Sequence, residues 1–263
     1  AADGGTVELM NNATVTGGKL QTDGAGVITT PASNASVLVN VTNEGTFQTA
    51  AGATTRIRGT SLTNSGTMTL NPTAANALTT LEFGSNVTIS GSGSIFLNQA
   101  GNSARMTFMT GSEVVTQAAG HTIRGRGIID NAFGSGRFVN HGRLEGNSAA
   151  EPLAIVADLS GDGTLKDVAF GGHFIQQLQT IGEAGTTAIV HTEGLYTIGS
   201  RSSLLFDLAG TTPGSGYDQL NSTGQITVSS ADTRLEVALA GGFLPIPGQS
   251  FTLITTTRCT PVG

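Results

Sequence analysis

Asn43-Glu44-Gly45-Thr46-Phe47 opens a step that returns as Asn64-Ser65-Gly66-Thr67-Met68, Gly91-Ser92-Gly93-Ser94-Ile95, Gly125-Arg126-Gly127-Ile128-Ile129, Asn140-His141-Gly142-Arg143-Leu144 and Gly161-Asp162-Gly163-Thr164-Leu165. Its central glycines, Gly45, Gly66, Gly93, Gly127, Gly142 and Gly163, lie 21, 27, 34, 15 and 21 residues apart. A short supersecondary unit recurring at an irregular period is the mark of a solenoid with loops of variable length. Each step predicts a corner in which Gly, or Asn, takes a left-handed conformation, and in which the Asn amide extends a ladder to the next coil. The apolar residue two beyond each glycine then turns inward, which places Phe47, Met68, Ile95, Ile129, Leu144 and Leu165 in one stacked core row.

Outward from these steps, apolar residues alternate with Thr, Ser and Asn in bursts of about 4–6 residues, the periodicity of strands. Ser36–Val41, Asn86–Ile89, Ser203–Leu208, Gln225–Val228 and Arg234–Leu239 are clear cases, and the only helical stretch expected runs from Phe174 to Ile181. A two-sheet sandwich would also show many short strands, and the repetition decides against it. The expected fold is all-β, a right-handed parallel β-helix of irregular coils of about 20–25 residues. At about 4.8 Å per coil, roughly ten to twelve coils would make a rod near 50 Å long. One domain is expected over 1–263, with first coils or a cap in 1–35, core repeats in 36–185 and distinct C-terminal coils in 186–263.

Composition narrows the partners. Charged residues make up 11% of the chain, and none occurs between Asp23 and Glu44, between Arg58 and Glu82, or between Glu82 and Arg105. Hydrophobic residues still reach 38%, enough for a core. The net charge of −6 leaves no cationic field for nucleic acid, and Lys19 and Lys166 are the sole lysines. No apolar run of membrane-spanning length exists, so membrane insertion by this segment is not expected. Cys259 has no second cysteine to pair with inside the chain. The opening Ala1-Ala2-Asp3-Gly4-Gly5 suits a mature terminus left by signal-peptide cleavage.

Gly120-His121-Thr122-Ile123-Arg124-Gly125-Arg126-Gly127-Ile128-Ile129-Asp130, followed by Gly136-Arg137-Phe138-Val139-Asn140-His141-Gly142-Arg143-Leu144-Glu145-Gly146-Asn147, resembles the repeats of bacterial autotransporter passengers and related secreted β-helix proteins. A second likeness lies in Leu204–Gly210, Gly216-Tyr217-Asp218-Gln219-Leu220, Gly224–Val228 and Pro247–Ile254, an order similar to the end of many such passengers. The resemblance covers roughly residues 40 to 256 and implies export and surface display, in an extracellular or cell-surface location. It specifies architecture better than activity.

Chemistry-bearing residues are few. His121, Arg124, Arg126, Arg137, His141 and Arg143 form the one basic zone of an acidic chain. They would suit a glycan-contacting face, or a lyase groove in which a base abstracts a proton beside a uronate carboxylate. The simpler reading, a solvated face, is preferred. Asp158–Leu165 is similar to a calcium loop at its first positions, but Ala169 stands where the closing glutamate belongs. Of the acids, Glu145 and Glu151 are near neighbours, and Asp130 and Glu145 are candidates to sit one coil apart, yet no pair has the spacing a glycosidase needs. Thr14-Val15-Thr16 and Thr67-Met68-Thr69 raise ice binding without recurring in every coil. No cofactor, metal or catalytic residue is expected. The function expected is that of an exported structural or adhesive protein that self-assembles into a fibre or layer. A polysaccharide-binding or polysaccharide-cleaving β-helix is the alternative.

Overall fold

The computed structural model describes residues 2–131, 136–171 and 177–260. The chain winds through three parallel ladders in turn. The first holds Thr6–Glu8, Val27–Thr30, Thr46–Thr49 and Thr67–Leu70, and the second Ala13–Thr16, Ala35–Val39, Thr54–Arg58 and Thr80–Phe83. The third runs from Lys19–Leu20 through Thr42–Asn43 and Ser61–Asn64 to Arg234–Leu239 as a 10-stranded sheet. Long strands such as Ser94–Phe108 and Thr122–Asp130 serve the first ladder with one arm and the second with the other, which joins both into a 16-stranded sheet. Every ladder pairing is parallel, and no helix occurs among the described residues. The chain is therefore a parallel β-solenoid. Of the expected helix, Gln177–Thr180 is a strand of the third ladder, and residues 174–176 lie outside the described residues.

Partners stand 21 residues apart at Asn43 and Asn64, 27 at Thr63 and Ser90, and 34 at Asn221 and Thr255. The surplus residues leave the ladders as loops, so the core rows stay in register. One row reads Val7, Ile28, Phe47, Met68, Ile95, Ile123, Leu144 and Leu165. Ile123 holds the place expected for Ile129. Ile129 belongs to a second-ladder row with Leu81, Met106, Ile155, Phe170 and Ile198. Gly125-Arg126-Gly127 is not a corner, because it lies inside the strand Thr122–Asp130, with Gly125 beside Leu97 and Gly146. The corner sits at Gly120-His121, which resolves the anomalous steps of 34 and 15 residues. Phe47, Met68, Ile95, Ile123 and Leu144 are buried to 1% exposure or less. Burying each such side chain stabilises the fold by about 1.5–3 kcal/mol.

The corner glycines serve a different purpose from the one expected. Gly45, Gly66, Gly93, Gly142 and Gly163 do not have positive φ. A Cβ on Gly66 would run into the carbonyl oxygen of Gly45, and one on Gly93 into that of Gly66. Glycine is needed there because backbone lies directly on backbone from coil to coil. Positive φ appears instead at the first position of some steps, Gly91 (φ 95) and Gly161 (φ 102), where the Asn of other steps is replaced. Where Asn is kept, its amide stacks: Asn43 Nδ2 donates to Asn64 Oδ1 at 2.8 Å, and Asn64 Nδ2 reaches His121 Nε2 at 3.0 Å. Asn43 and Asn64 are buried, and an amide column satisfies them at about 1 kcal/mol net per bond.

Gly66→Ala is expected to destabilise the protein by more than about 2 kcal/mol, because only a shift between two coils makes room for the methyl group. The same change at Gly101, whose Cβ would meet nothing within 4 Å but whose φ is +53, is expected to cost about 1–2 kcal/mol. Urea unfolding of both variants checks this order.

Candidate functional site

Strand alternation sends two residues outward on either side of each first-ladder core residue. One outer row is Thr46, Thr67, Ser94, Thr122, Arg143, Thr164 and His191. Beside it run Gln48, Thr69, Phe96, Arg124, Glu145, Lys166 and Glu193. The face thus begins neutral and hydroxyl-rich and becomes charged from Arg124 onward. Arg124 is exposed and lies over the Phe96 ring, 4.7 Å from its centroid, a cation–π contact of about 0.5–1 kcal/mol. A shallow groove of about 450 Å3, lined by Ser65, Gly66, Thr67, Gly93, Ser94 and Thr122, runs up to Arg124.

Next along the face the charges pair off. Arg143 Nη2 bonds Glu193 at 2.7 Å and its Nε bonds Glu145 at 2.9 Å, while Lys166 Nζ holds the other Glu145 oxygen at 2.6 Å. The Glu193 hydrogen bond raises the Arg143 pKa further, and the Lys166 and Arg143 hydrogen bonds hold the Glu145 carboxyl below the ordinary carboxylate range. Arg143 likewise depresses Glu193. The cluster is a closed network of alternating sign. Its guanidinium is already committed to carboxylates, so it offers an incoming uronate little.

The other basic residues lie elsewhere. Arg126 is bound to Glu151 at 2.5 Å, in the middle of the strand that carries Arg124 and two residues beyond it. Arg137 stands on the third ladder, in register with Val114 and Asp158. Burial raises the Asp158 pKa, and the Arg137 charge opposes that shift. His141 occupies a corner between two carboxylates, with Nδ1 2.6 Å from Asp162 and Nε2 3.2 Å from Glu183. A cavity of about 100 Å3 lined by Thr186, Thr187 and Ala188 adjoins it. His121 is fully buried, and burial pushes its pKa down to about 4. It is a neutral member of the amide column, accepting from Asn64, and it cannot touch a ligand. The six residues therefore divide among an outer face, a corner, a second sheet and the core. His191 lies on the outer row, and His173 lies outside the described residues.

The acids show the same dispersion. Asp130 is held by Arg105 at 2.8 Å and pairs with Thr107 and Val156, whereas Glu145 pairs with Arg124 and Lys166. They are on different ladders and not stacked as expected. Asp158 accepts a hydrogen bond from Leu178 N while Asp162 turns to His141, so the calcium-like stretch does not converge on one point. No group of metal-binding side chains gathers among the described residues.

Two buried carboxylates escaped the sequence reading. Asp218 accepts from Ala188 N and from Asp207 N, both at 2.7 Å, and Asp207 accepts from Gly185 N at 2.7 Å. Together they tie the loops around 185–188 and 209–217 to the third ladder. The Gly216-Tyr217-Asp218 step was the available signal, since a carboxylate beside a turn glycine commonly bonds backbone N–H groups. Burial pushes the Asp218 pKa up to about 6.

Comparisons of the chain with protein-family models, with curated proteins and with solved structures return no match.

The two perturbed groups act on stability with opposite signs. His121, lowered to about 4 from 6.5, is protonated first in the unfolded chain, so its contribution is complete above pH 6.5 and is lost as pH falls towards 4. Asp218, raised to about 6 from 3.8, takes up its proton first in the folded chain, so folding gains as pH falls through that window and loses as pH rises. Each is worth up to about 3 kcal/mol across its window. Urea midpoints between about pH 4 and pH 7 are expected to fall more steeply with acid in Asp218→Asn than in the parent, and less steeply in His121→Gln. Parallel slopes in all three proteins would refute the assignment.

Proposed function

We propose that the chain is a non-enzymatic, exported structural or adhesive protein of the cell surface, a right-handed parallel β-helix that associates with copies of itself. The observation that carries this reading is the pairing of the charged side chains on the outer face: Arg143, Lys166, Glu145 and Glu193 neutralise one another, and Arg126 is held by Glu151. A hydrolase or lyase needs charged groups converging on a substrate, whereas these converge on each other. Right-handed winding follows the preference of parallel β crossovers. The likeness of residues 40 to 256 to autotransporter passengers supports export and display, and the neutral hydroxyl-rich surface of the first coils suits an extracellular rod. Coils averaging 20–25 residues would belong to the same architecture.

A second reading rests on one observation, the exposed Arg124 stacked on Phe96 at the end of a hydroxyl-lined groove. Such a pair could hold an acidic glycan by charge and ring contact.

Negative-stain electron microscopy with light scattering of the purified protein tests the first reading. Filaments, sheets or defined oligomers are expected, and a strictly monomeric rod that degrades a polysaccharide would overturn it. A glycan panel tests the second. Arg124→Ala is expected to remove acidic-glycan binding without moving the unfolding midpoint, and identical binding by parent and variant would dismiss it.

A further inference from the structure

The groove that ends at Arg124 is built across successive coils. Thr67, Ser94 and Thr122 stand in register, so the groove follows the rod axis and offers a hydroxyl about every 4.8 Å. Ser65 and Ser92 add hydroxyls on its corner side, with the bare backbone of Gly66 and Gly93 between the two lines. Among the described residues none of these hydroxyls makes a hydrogen bond within the protein, whereas the buried hydroxyls of Thr30, Ser36, Thr49 and Thr55 bond one another. Arg124 is the sole charged residue lining the groove. It has no carboxylate partner among the described residues, and the Phe96 ring holds its guanidinium in place.

We propose that this groove takes a glycan whose neutral sugars lie along the rod axis and whose one acidic sugar ends the chain at Arg124; this rests on the acidic-glycan reading above and gives it a substrate class. Ser and Thr hydroxyls both donate and accept, as sugar hydroxyls do, and a carboxylate suits the guanidinium fork. The cation stands at one end of a neutral line, so it matches one negative group. A second acid, one or two coils back, would lie on Ser94 or Thr67 with no counter-charge. Nor does the line continue forward. The residue after Arg124 in its row is Glu145, and the one after Thr122 is Arg143, whose guanidinium is closed on Glu145 and Glu193. A chain running past Arg124 would bring its next acid against Glu145. At the other limit Glu44, which follows Asn43 one coil before Ser65, already holds Lys19 at 2.7 Å. A uronate homopolymer therefore finds one free cation with a carboxylate beyond each limit of the groove, whereas a neutral chain with one terminal acid finds a partner for every group.

Calorimetric titration of the full chain with three oligosaccharides tests this. They are 3′-sialyllactose, which carries one terminal carboxylate on neutral sugars, lactose, which lacks the acid, and trigalacturonate, which has an acid on every unit. Sialyllactose is expected to bind at least about tenfold more tightly than either of the others, because lactose forfeits a charge-assisted contact and trigalacturonate adds unmatched charges. Arg124→Gln is expected to lower sialyllactose to the affinity of lactose. Thr67→Lys, two coils from Arg124, is expected to raise trigalacturonate affinity by about tenfold by supplying the second cation. Both positions lie on the outer face, so urea midpoints are expected to match the parent. Trigalacturonate bound by the parent as tightly as sialyllactose would overturn the single-acid class and leave the acidic-glycan reading standing. Lactose bound as tightly as sialyllactose, or no binding of any of the three at millimolar concentration, would overturn both. Unchanged sialyllactose affinity in Arg124→Gln would overturn the site itself.

Discussion

The approach of one coil's backbone to the next at the glycine corners sets the geometry of the whole molecule. Gly66 sits on Gly45 and Gly93 on Gly66 with no room for a methyl group between them. That contact fixes which residue lies above which, and the amides of Asn43 and Asn64 fasten the same column by hydrogen bonds. Once the corner is fixed, alternation along each strand decides which side chains meet in the core and which face water. Length variation is then pushed outward. The loop at 71–79 is long because it leaves the ladders after Leu70, and the next coil answers with a bend of its own. Asn98 donates to the carbonyls of Asn71 and Pro72, Gln99 donates to Ala74, and Ser103 bonds Asn76. Even the excursions stack.

Charge distribution follows the same geometry. On a parallel in-register sheet, identical positions of successive coils are about 4.8 Å apart, so a row of like charges would repel strongly. The first coils avoid the problem with Thr, Ser and Gln. The later ones alternate Arg124, Glu145, Lys166 and Glu193 along one outer row, and Arg143 reaches across from the neighbouring row. Exposed pairs of this kind contribute little individually, at most about 1 kcal/mol, but the alternation removes a penalty that like charges would impose. The cluster that looked most like a site is explained by what a solenoid face requires of charged residues.

Much of the architecture was legible because repetition is a strong signal. The Asn-x-Gly step, the inward residue two positions on, and the parallel solenoid itself could be read from the chain. The errors have physical causes. Gly125-Arg126-Gly127 copies the corner motif, and only the pairing of Gly125 with Leu97 shows that these glycines sit mid-strand under close backbone. Positive φ was assigned to the central glycines because it is the usual reason for glycine in a turn, whereas crowding from the neighbouring coil is a contact between residues about 20 apart that local sequence does not reveal. His121 read as surface because histidine beside arginines usually is. Its place in the amide column depends on Asn64, two ladder steps away, and no spacing rule connects them. Asp218 was missed for the converse reason, its partners being the strand residue Asp207 and the loop residue Ala188, brought close only by the coil.

A solenoid has no centre, and this bears on how its parts act together. Each coil touches only its neighbours, so stability is close to a sum of coil energies and interfaces between coils. An interior coil has two interfaces and a terminal coil one. His121 lies in the interior and its protonation strains interfaces on both sides. Asp218 ties neighbouring loops to the third ladder through hydrogen bonds made within its own stretch of the rod. The opposite pH responses of these groups therefore act in separate coils. Acid weakens the interfaces around His121 while it relieves a buried charge at Asp218. In a one-dimensional stack, folding is the repeated addition of one more interface between parallel coils.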